Sequence, residues 1–235
     1  MLTKFVPQAT PFFAPMIPRV LEVEAMDTEA EAIAYDTMDH GVANRAFVDD
    51  LLAAGPEPGW IVDLGAGTLQ IPVLLCQEFP LCRILAIDLA WWMLRVGWAN
   101  VEKAHLIDRV VPCRADAKSL PLATAQFRTV ISNSLLHHLP DPAMALREAY
   151  RVLAPGGLLF MRDLFRPADE ETIEKLVSQY APDASREQHQ MFADSFRASL
   201  TVDEVRALAA AEGIPPESVY QSSDRHWTLR YRKPA

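Results

Sequence analysis

The chain has 235 residues, half of them hydrophobic and 23% charged, with a net charge of −9. That apolar content suits one globular domain with a large core and excludes intrinsic disorder. The acidic balance argues against gripping nucleic acid through phosphates, or a negative membrane surface.

The first 20 residues carry Pro7, Pro11, Pro15 and Pro18. Proline blocks helix and removes backbone donors, so an extended arm is expected there. Phe5, Phe12, Phe13, Met16 and Ile17 between the prolines would let it lie over the domain or cap a pocket. Those residues do not form the apolar core of a signal peptide, and no run of about 18 apolar residues could span a membrane. The three cysteines (Cys76, Cys82 and Cys113) form no CxxC pair and read as free thiols. A cytoplasmic protein is expected.

A first helix starts at Asp27-Thr28, where Thr28 and Glu31 form a capping box. A second runs from Val42 to Ala54, with Phe47/Leu51 and Val48/Leu52 at i,i+4 spacing. Gly55, Pro56, Pro58 and Gly59 end it. An alternation then begins. Trp60–Leu64 is a strand, Leu69–Phe79 a helix with Pro72 in its first turn, Arg83–Leu89 a strand and Trp91–Lys103 a helix. Arg109–Arg114 is a third strand, placed at a sheet edge because Pro112 lacks a ladder donor. Phe127–Ser132 is the fourth. Asp141 caps a helix that opens on Pro142 and ends near Leu153; Pro155-Gly156-Gly157 then turns into a fifth strand, Leu158–Asp163. Such alternation predicts a parallel sheet covered by helices on both faces. Helices over Glu170–Gln179 and Val202–Glu212 follow, the second behind a Thr201–Glu204 capping box. Ser218–Ser222 and His226–Arg232 close the chain as a hairpin at a sheet edge. The expectation is one domain over 1–235, with residues 1–55 and 164–200 as a cap.

Three strand ends carry acids. Asp63 ends the first strand just before Gly65-Ala66-Gly67, whose glycines let a ligand approach the backbone. A dinucleotide fingerprint would place a third glycine at position 70, where this chain has Gln70; this weighs against a nicotinamide-dependent oxidoreductase. An acid such as Asp63 suits an ammonium group better than a pyrophosphate. Asp88 ends the second strand, where a carboxylate can accept from both hydroxyls of a ribose. Asp116 follows the third strand, within reach of an adenine amino group. Buried unpaired carboxylates are costly, so packing alone does not explain three of them.

This order, with Ser132-Asn-Ser-Leu-Leu-His-His-Leu139 after the fourth strand and Leu153-Ala-Pro-Gly-Gly-Leu-Leu-Phe160 into the fifth, resembles the class I S-adenosylmethionine-dependent methyltransferases. It is most similar to their small-molecule branch, which includes quinone-biosynthesis enzymes. The likeness covers residues 60–163. It implies a Rossmann-like three-layer α/β sandwich with a mostly parallel seven-stranded sheet and a C-terminal antiparallel hairpin. It also implies S-adenosylmethionine as cofactor and S-adenosylhomocysteine as product. Under it, Gly65, Ala66 and Gly67 border the methionine part of the cofactor and Asp63 its amino group. Asp88 takes the ribose hydroxyls, Leu89 packs on adenine, Asp116 and Ala117 meet the adenine edge, and Asn133 lies near the sulfonium. Trp91 and Trp92 are expected to pack their helix against the sheet.

Methyl transfer from sulfur is an in-line displacement that needs alignment and exclusion of water. His137 and His138 follow the fourth strand and could act as a base near neutral pH. Tyr35 could border the methyl group from the first helix. Arg45, Arg162 and Asp163 are candidates for a polar substrate. His40, His105 and His189 are too scattered to hold a metal, and none is expected. An RNA-modifying enzyme and a non-catalytic binding module are the alternative readings. The chain is expected to be a monomer or a homodimer.

Overall fold

The computed structural model describes residues 17–22 and 27–235. Of the arm expected over residues 1–20, residues 1–16 lie outside these.

Seven strands form one sheet: β1 (Gly59–Leu64), β2 (Cys82–Asp88), β3 (Val110–Arg114), β4 (Phe127–Asn133), β5 (Leu153–Leu164), β6 (Val219–Gln221) and β7 (His226–Arg232). Their order is β3-β2-β1-β4-β5-β7-β6. The first five run parallel, and β7 runs antiparallel to both β5 and β6. The chain order reverses between β1 and β4, so a crevice opens above their carboxyl ends. β3 is an edge strand, as Pro112 requires.

The two-residue period of β1 divides the core. Ile61 joins an apolar cluster with α2 (Gly41–Ala53), α3 (Gln70–Glu78) and α4 (Trp91–Lys103). Val62 and Leu64 join the cluster on the other face, with α5 (Pro142–Val152) and α8 (Val202–Ala211). Each fully buried aliphatic side chain contributes about 1.5–3 kcal/mol relative to exposure. This two-sided burial holds the strand tips rigid, and the tips carry the acids.

α1 (Glu29–Asp36) has the Thr28–Glu31 capping box. It packs on α4 through Ala32, Ala90 and Met93, with Trp92 against them. The tryptophans therefore do not pack α4 on the sheet: Trp92 meets α1, and Trp91 is 49% exposed.

Pro155-Gly156-Gly157 is a bulge inside β5, not a turn before it. Phe127 pairs with Leu153 and Thr129 with Leu158, so the intervening residues loop out. A Cβ on Gly157 would stand 2.8 Å from the Ala154 carbonyl oxygen, which only glycine avoids.

Beyond β5 lie α6 (Glu170–Tyr180) and α7 (Arg186–Ala198). The second was not expected, although Ser185 and Gln188 form a capping box in front of it. Its apolar stripe is narrow, with Phe196 alone among its large residues fully buried. These helices enclose a small core of Leu164, Ile173, Leu176, Val177 and Phe196, joined by Ile17. The segment 17–22 is tied there by bonds from Ile17 N to Ala168 O (3.3 Å) and Val20 N to Arg197 O (3.1 Å). No described helix is long and apolar enough to cross a membrane.

Candidate active site

The loop from β1 to α3 is shaped by contacts that admit little substitution. Gly65 N and Ala66 N both donate to Ile87 O at 2.9 Å, fastening the loop to β2. Gly65 has φ +73°, and a Cβ there would stand 2.8 Å from Leu135 Cδ1. Leu69 takes φ +60° at the start of α3 while fully buried. A left-handed residue with a Cβ costs about 1–2 kcal/mol, offset here by the buried side chain. Gly97 of α4 presses on the same turn; its Cβ would be 2.6 Å from Leu69 Cγ and from the Thr68 carbonyl carbon.

The acids take up positions around this loop. Asp88 Oδ2 accepts from Gly67 N at 2.8 Å and Oδ1 from Ala90 N at 2.9 Å. The carboxylate thus holds the glycine loop to the start of α4. Burial raises its pKa, and these two backbone bonds oppose the rise. Asp116 Oδ1 accepts from Lys118 N at 2.8 Å and pairs with Lys118 Nζ at 3.1 Å. Asp63 differs. It is 2% exposed, and no hydrogen bond from a described residue contributes to its electrostatics. Burial first, and the Asp88 charge second, push its carboxyl well above the usual range.

A single pocket is lined by Gly65, Gly67, Asp88, Leu89, Asp116, Ala117, Asn133, Tyr35 and His138. Residues from four strand ends and α1 therefore meet in one cleft. Asp63 and Ala66 are not part of the lining. The Tyr35 ring faces Gly67, 3.8 Å from where a Cβ would lie. Burial, with Asp88, Asp163 and Asp36 nearby, pushes its hydroxyl up to about 12. It is a donor at neutral pH and not a base.

The two histidines have different surroundings. Both sit in a single 3-10 turn (Leu136–His138) after Ser134, which has φ +56°. His137 is buried under the pocket. Its Nδ1 meets Asp163 Oδ1 at 2.6 Å, and its backbone N donates to Asp163 Oδ2 at 3.1 Å. Burial depresses its pKa, but Asp163 outweighs that and the net shift is upward. His138 lines the pocket, with Nδ1 2.9 Å from Glu22 Oε1. Burial first, and His137 second, lower its pKa. The same Glu22 oxygen lies 3.4 Å from His137 Nε2.

Glu22 and Arg19 were not picked out from the sequence. The Arg19 guanidinium donates to carbonyls of His137 (3.1 Å), Leu139 (2.9 Å) and Ala198 (2.6 Å), which pins the strap 17–22 on the turn. Partners more than 110 residues apart leave no local signal.

Of the expected substrate residues, Asp163 is consumed by His137. Arg45 sits on the outer face of α2, paired with Asp49 and Glu78. Arg162 is buried between Phe47 and Phe160, bonded to Thr228 Oγ1 (3.0 Å) and paired with Asp50. Neither arginine lines the pocket, because the alternation of β5 sends Arg162 to the α2 side. Substrate contact is therefore not assigned to them.

Residues 62–161 match the model of the methyltransferase domain family. The chain is 32% identical over 201 residues to malonyl-[acyl-carrier protein] O-methyltransferase of Geobacter sulfurreducens, covering 83% of this chain and 70% of that protein. It is 34% identical over 135 residues to demethylmenaquinone methyltransferase of Chlamydia trachomatis, covering 57% of each. Apart from the Geobacter protein, these curated relatives are thus matched over about half their length. Among solved structures, a SAM-dependent methyltransferase from Aquifex aeolicus superposes with a TM-score of 0.66 at 17% identity, covering 87% of this chain and 98% of that one. The seven-stranded sheet and the shared fold agree with the extent of the sequence match, and the chain belongs to the class I S-adenosylmethionine-dependent methyltransferases.

Proposed function

We propose that the pocket binds S-adenosylmethionine and that the chain transfers its methyl group to a small-molecule acceptor. The observation that carries this reading is Asp63: a buried carboxylate without a partner, beside the charge of Asp88. Such a group is costly unless a cation arrives to pair with it. The cofactor's ammonium is such a cation, reached through water because Asp63 does not itself line the pocket. The other residues fit in turn. Gly65 and Gly67 leave room along the loop; Asp88 keeps lone pairs for a ribose diol beyond its two backbone bonds; Leu89, Asp116 and Ala117 border the base; Asn133 lies at the sulfur end. Once bound, the cofactor supplies an electrophilic methyl group. The chain's task is to align the acceptor behind that methyl and to exclude water.

His138 and Tyr35 border the acceptor side, with His137 supporting His138 from below. Tyr35 donates a hydrogen bond, and His138 contacts the acceptor. The strap 17–22, α1, α2 and the segment 164–200 together form the cap, since strap and segment share one small core. A small-molecule or carrier-borne acceptor accords with the net charge of −9 and with relatives named for malonyl-[acyl-carrier protein] and demethylmenaquinone.

The test is calorimetric titration with S-adenosylmethionine, followed by turnover in a metabolite extract read as S-adenosylhomocysteine. Saturable binding with product formation that depends on the extract is expected. Absence of binding at millimolar cofactor would overturn the reading.

A further inference from the structure

We propose that Glu22, His137 and His138 form a binding site for a divalent first-row transition-metal ion at the edge of the pocket. One carboxylate oxygen and two imidazole nitrogens converge there: Glu22 Oε1, His137 Nε2 and His138 Nδ1 all lie within 4.8 Å of one another. Glu22 Oε1 is 2.9 Å from His138 Nδ1 and 3.4 Å from His137 Nε2. Metal bonds of 2.0–2.1 Å give ligand–ligand edges of about 2.9 Å in an octahedron and about 3.3 Å in a tetrahedron. The two edges from Glu22 Oε1 are of that size, and the two imidazole nitrogens lie within 4.8 Å of each other.

The donor set is two histidines and one carboxylate, which binds Fe, Mn, Co or Zn and leaves coordination positions open. A support shell is present too. Asp163, 1% exposed, accepts from His137 Nδ1 at 2.6 Å. A carboxylate on the far nitrogen of a metal-bound histidine fixes its tautomer and strengthens it as a ligand. With that nitrogen committed to Asp163, Nε2 is the ring atom turned to Glu22 Oε1, 3.4 Å away, and a bound ion would take the place of the proton that a charged His137 shares with that carboxylate. Glu22 Oε1 and the two imidazole nitrogens need a cation between them, a proton or a metal ion. Arg19 does not serve, because its bonds among the described residues go to carbonyl oxygens. Ser195 Oγ is the other neighbour of Glu22, at 3.4 Å from each carboxylate oxygen.

The site joins elements far apart in the chain: the strap, the turn after β4 and the tip of β5. Because His138 also lines the pocket, an open position of the ion could hold an acceptor oxygen. That last role rests on the methyl-transfer reading; the site itself does not.

The experiment uses the full chain without a polyhistidine tag. Co2+ is titrated in while its visible d–d absorption is followed, and bound metal is counted after dialysis. One Co2+ per chain is expected, with bands displaced by Zn2+ and not by Mg2+. Glu22→Gln and His137→Ala should each lose binding at least tenfold, and Asp163→Asn should weaken it about 10- to 100-fold. His105→Ala, on the surface, should bind like wild type. Circular dichroism checks that each variant folds; His138→Gln stands in if His137→Ala does not. Binding no tighter in wild type than in Glu22→Gln and His138→Gln means that a shared proton alone occupies the cluster, and overturns the proposal. Calorimetry with S-adenosylmethionine on metal-free wild type tests the methyl-transfer reading separately.

Discussion

Asp63→Asn tests the cofactor site most directly, because it should raise stability and lower affinity together. The wild-type carboxyl is buried, unpartnered and next to Asp88, and its pKa is raised well above the usual carboxylate range. A group with a raised folded pKa favours folding only at low pH, and that contribution is lost as pH rises through the folded value. The ionised chain then prefers the unfolded state, where Asp63 is hydrated. An asparagine of the same size has no such dependence. Its advantage should be near zero close to pH 4, grow by up to about 1.4 kcal/mol per pH unit, and level off above the folded pKa. Burying an uncompensated polar group costs about 1–3 kcal/mol. A gain of about 2 kcal/mol at neutral pH then corresponds to about 4–8 °C in Tm for a chain of this size. Cofactor affinity should fall about 10- to 100-fold, the loss of one hydrogen bond between charged groups. Thermal unfolding between pH 5 and 7.5, with and without S-adenosylmethionine, reads both quantities. A variant that is no more stable than wild type at pH 7.5, or that binds the cofactor as well, would refute the reasoning.

Asp88→Ala removes acceptors for Gly67 N and Ala90 N, so it should lose more than tenfold in cofactor affinity and about 1–2 kcal/mol of stability; calorimetry and denaturant unfolding measure these. Gly97→Ala should cost about 1–3 kcal/mol by overpacking and weaken cofactor binding from outside the pocket, because its Cβ would push Thr68 and Leu69. Tyr35→Phe should leave the shape of the pH–rate profile unchanged between pH 6 and 9, since a hydroxyl with a pKa of about 12 does not titrate there; a shifted alkaline limb would contradict this. His138→Ala should lower turnover at least tenfold while changing S-adenosylmethionine affinity less than threefold, and an unaltered rate with the true acceptor would remove its role.

The residues proposed to hold the cofactor stand out in the chain because each group of them is local. Asp63 and the glycines lie within five residues, and Asp88 and Asp116 each end a strand whose apolar run is visible. Pro112 placed β3 at the edge, and capping residues marked α1, α5 and α8. Other features depend on tertiary contacts. Whether a basic residue near a strand end faces the crevice or a helix depends on strand alternation at one-residue precision. Arg162 and Asp163 show this: adjacent in sequence, they pair with Asp50 and His137. The bulge at residues 154–157 was missed for a related reason, since Pro-Gly-Gly favours a turn and does not show that pairing resumes on both sides.

The same division separates the two halves of the site in their tolerance of change. The cofactor half is a closed set of backbone contacts: Gly65 and Ala66 on Ile87, Gly67 on Asp88, Gly97 against Thr68. A side chain added at Gly65 or Gly97 meets atoms within 2.8 Å, so this half admits few alternatives. The proposed acceptor half consists of side chains from a strap, one turn and one strand tip, held by Arg19, Glu22 and Asp163. Exchanging them alters polarity, charge or metal affinity without moving a strand. On the proposed reading, acceptor specificity can diverge while the glycine loop and its acids are kept, and the choice of substrate rests on the residues around His138 more than on those around Asp88.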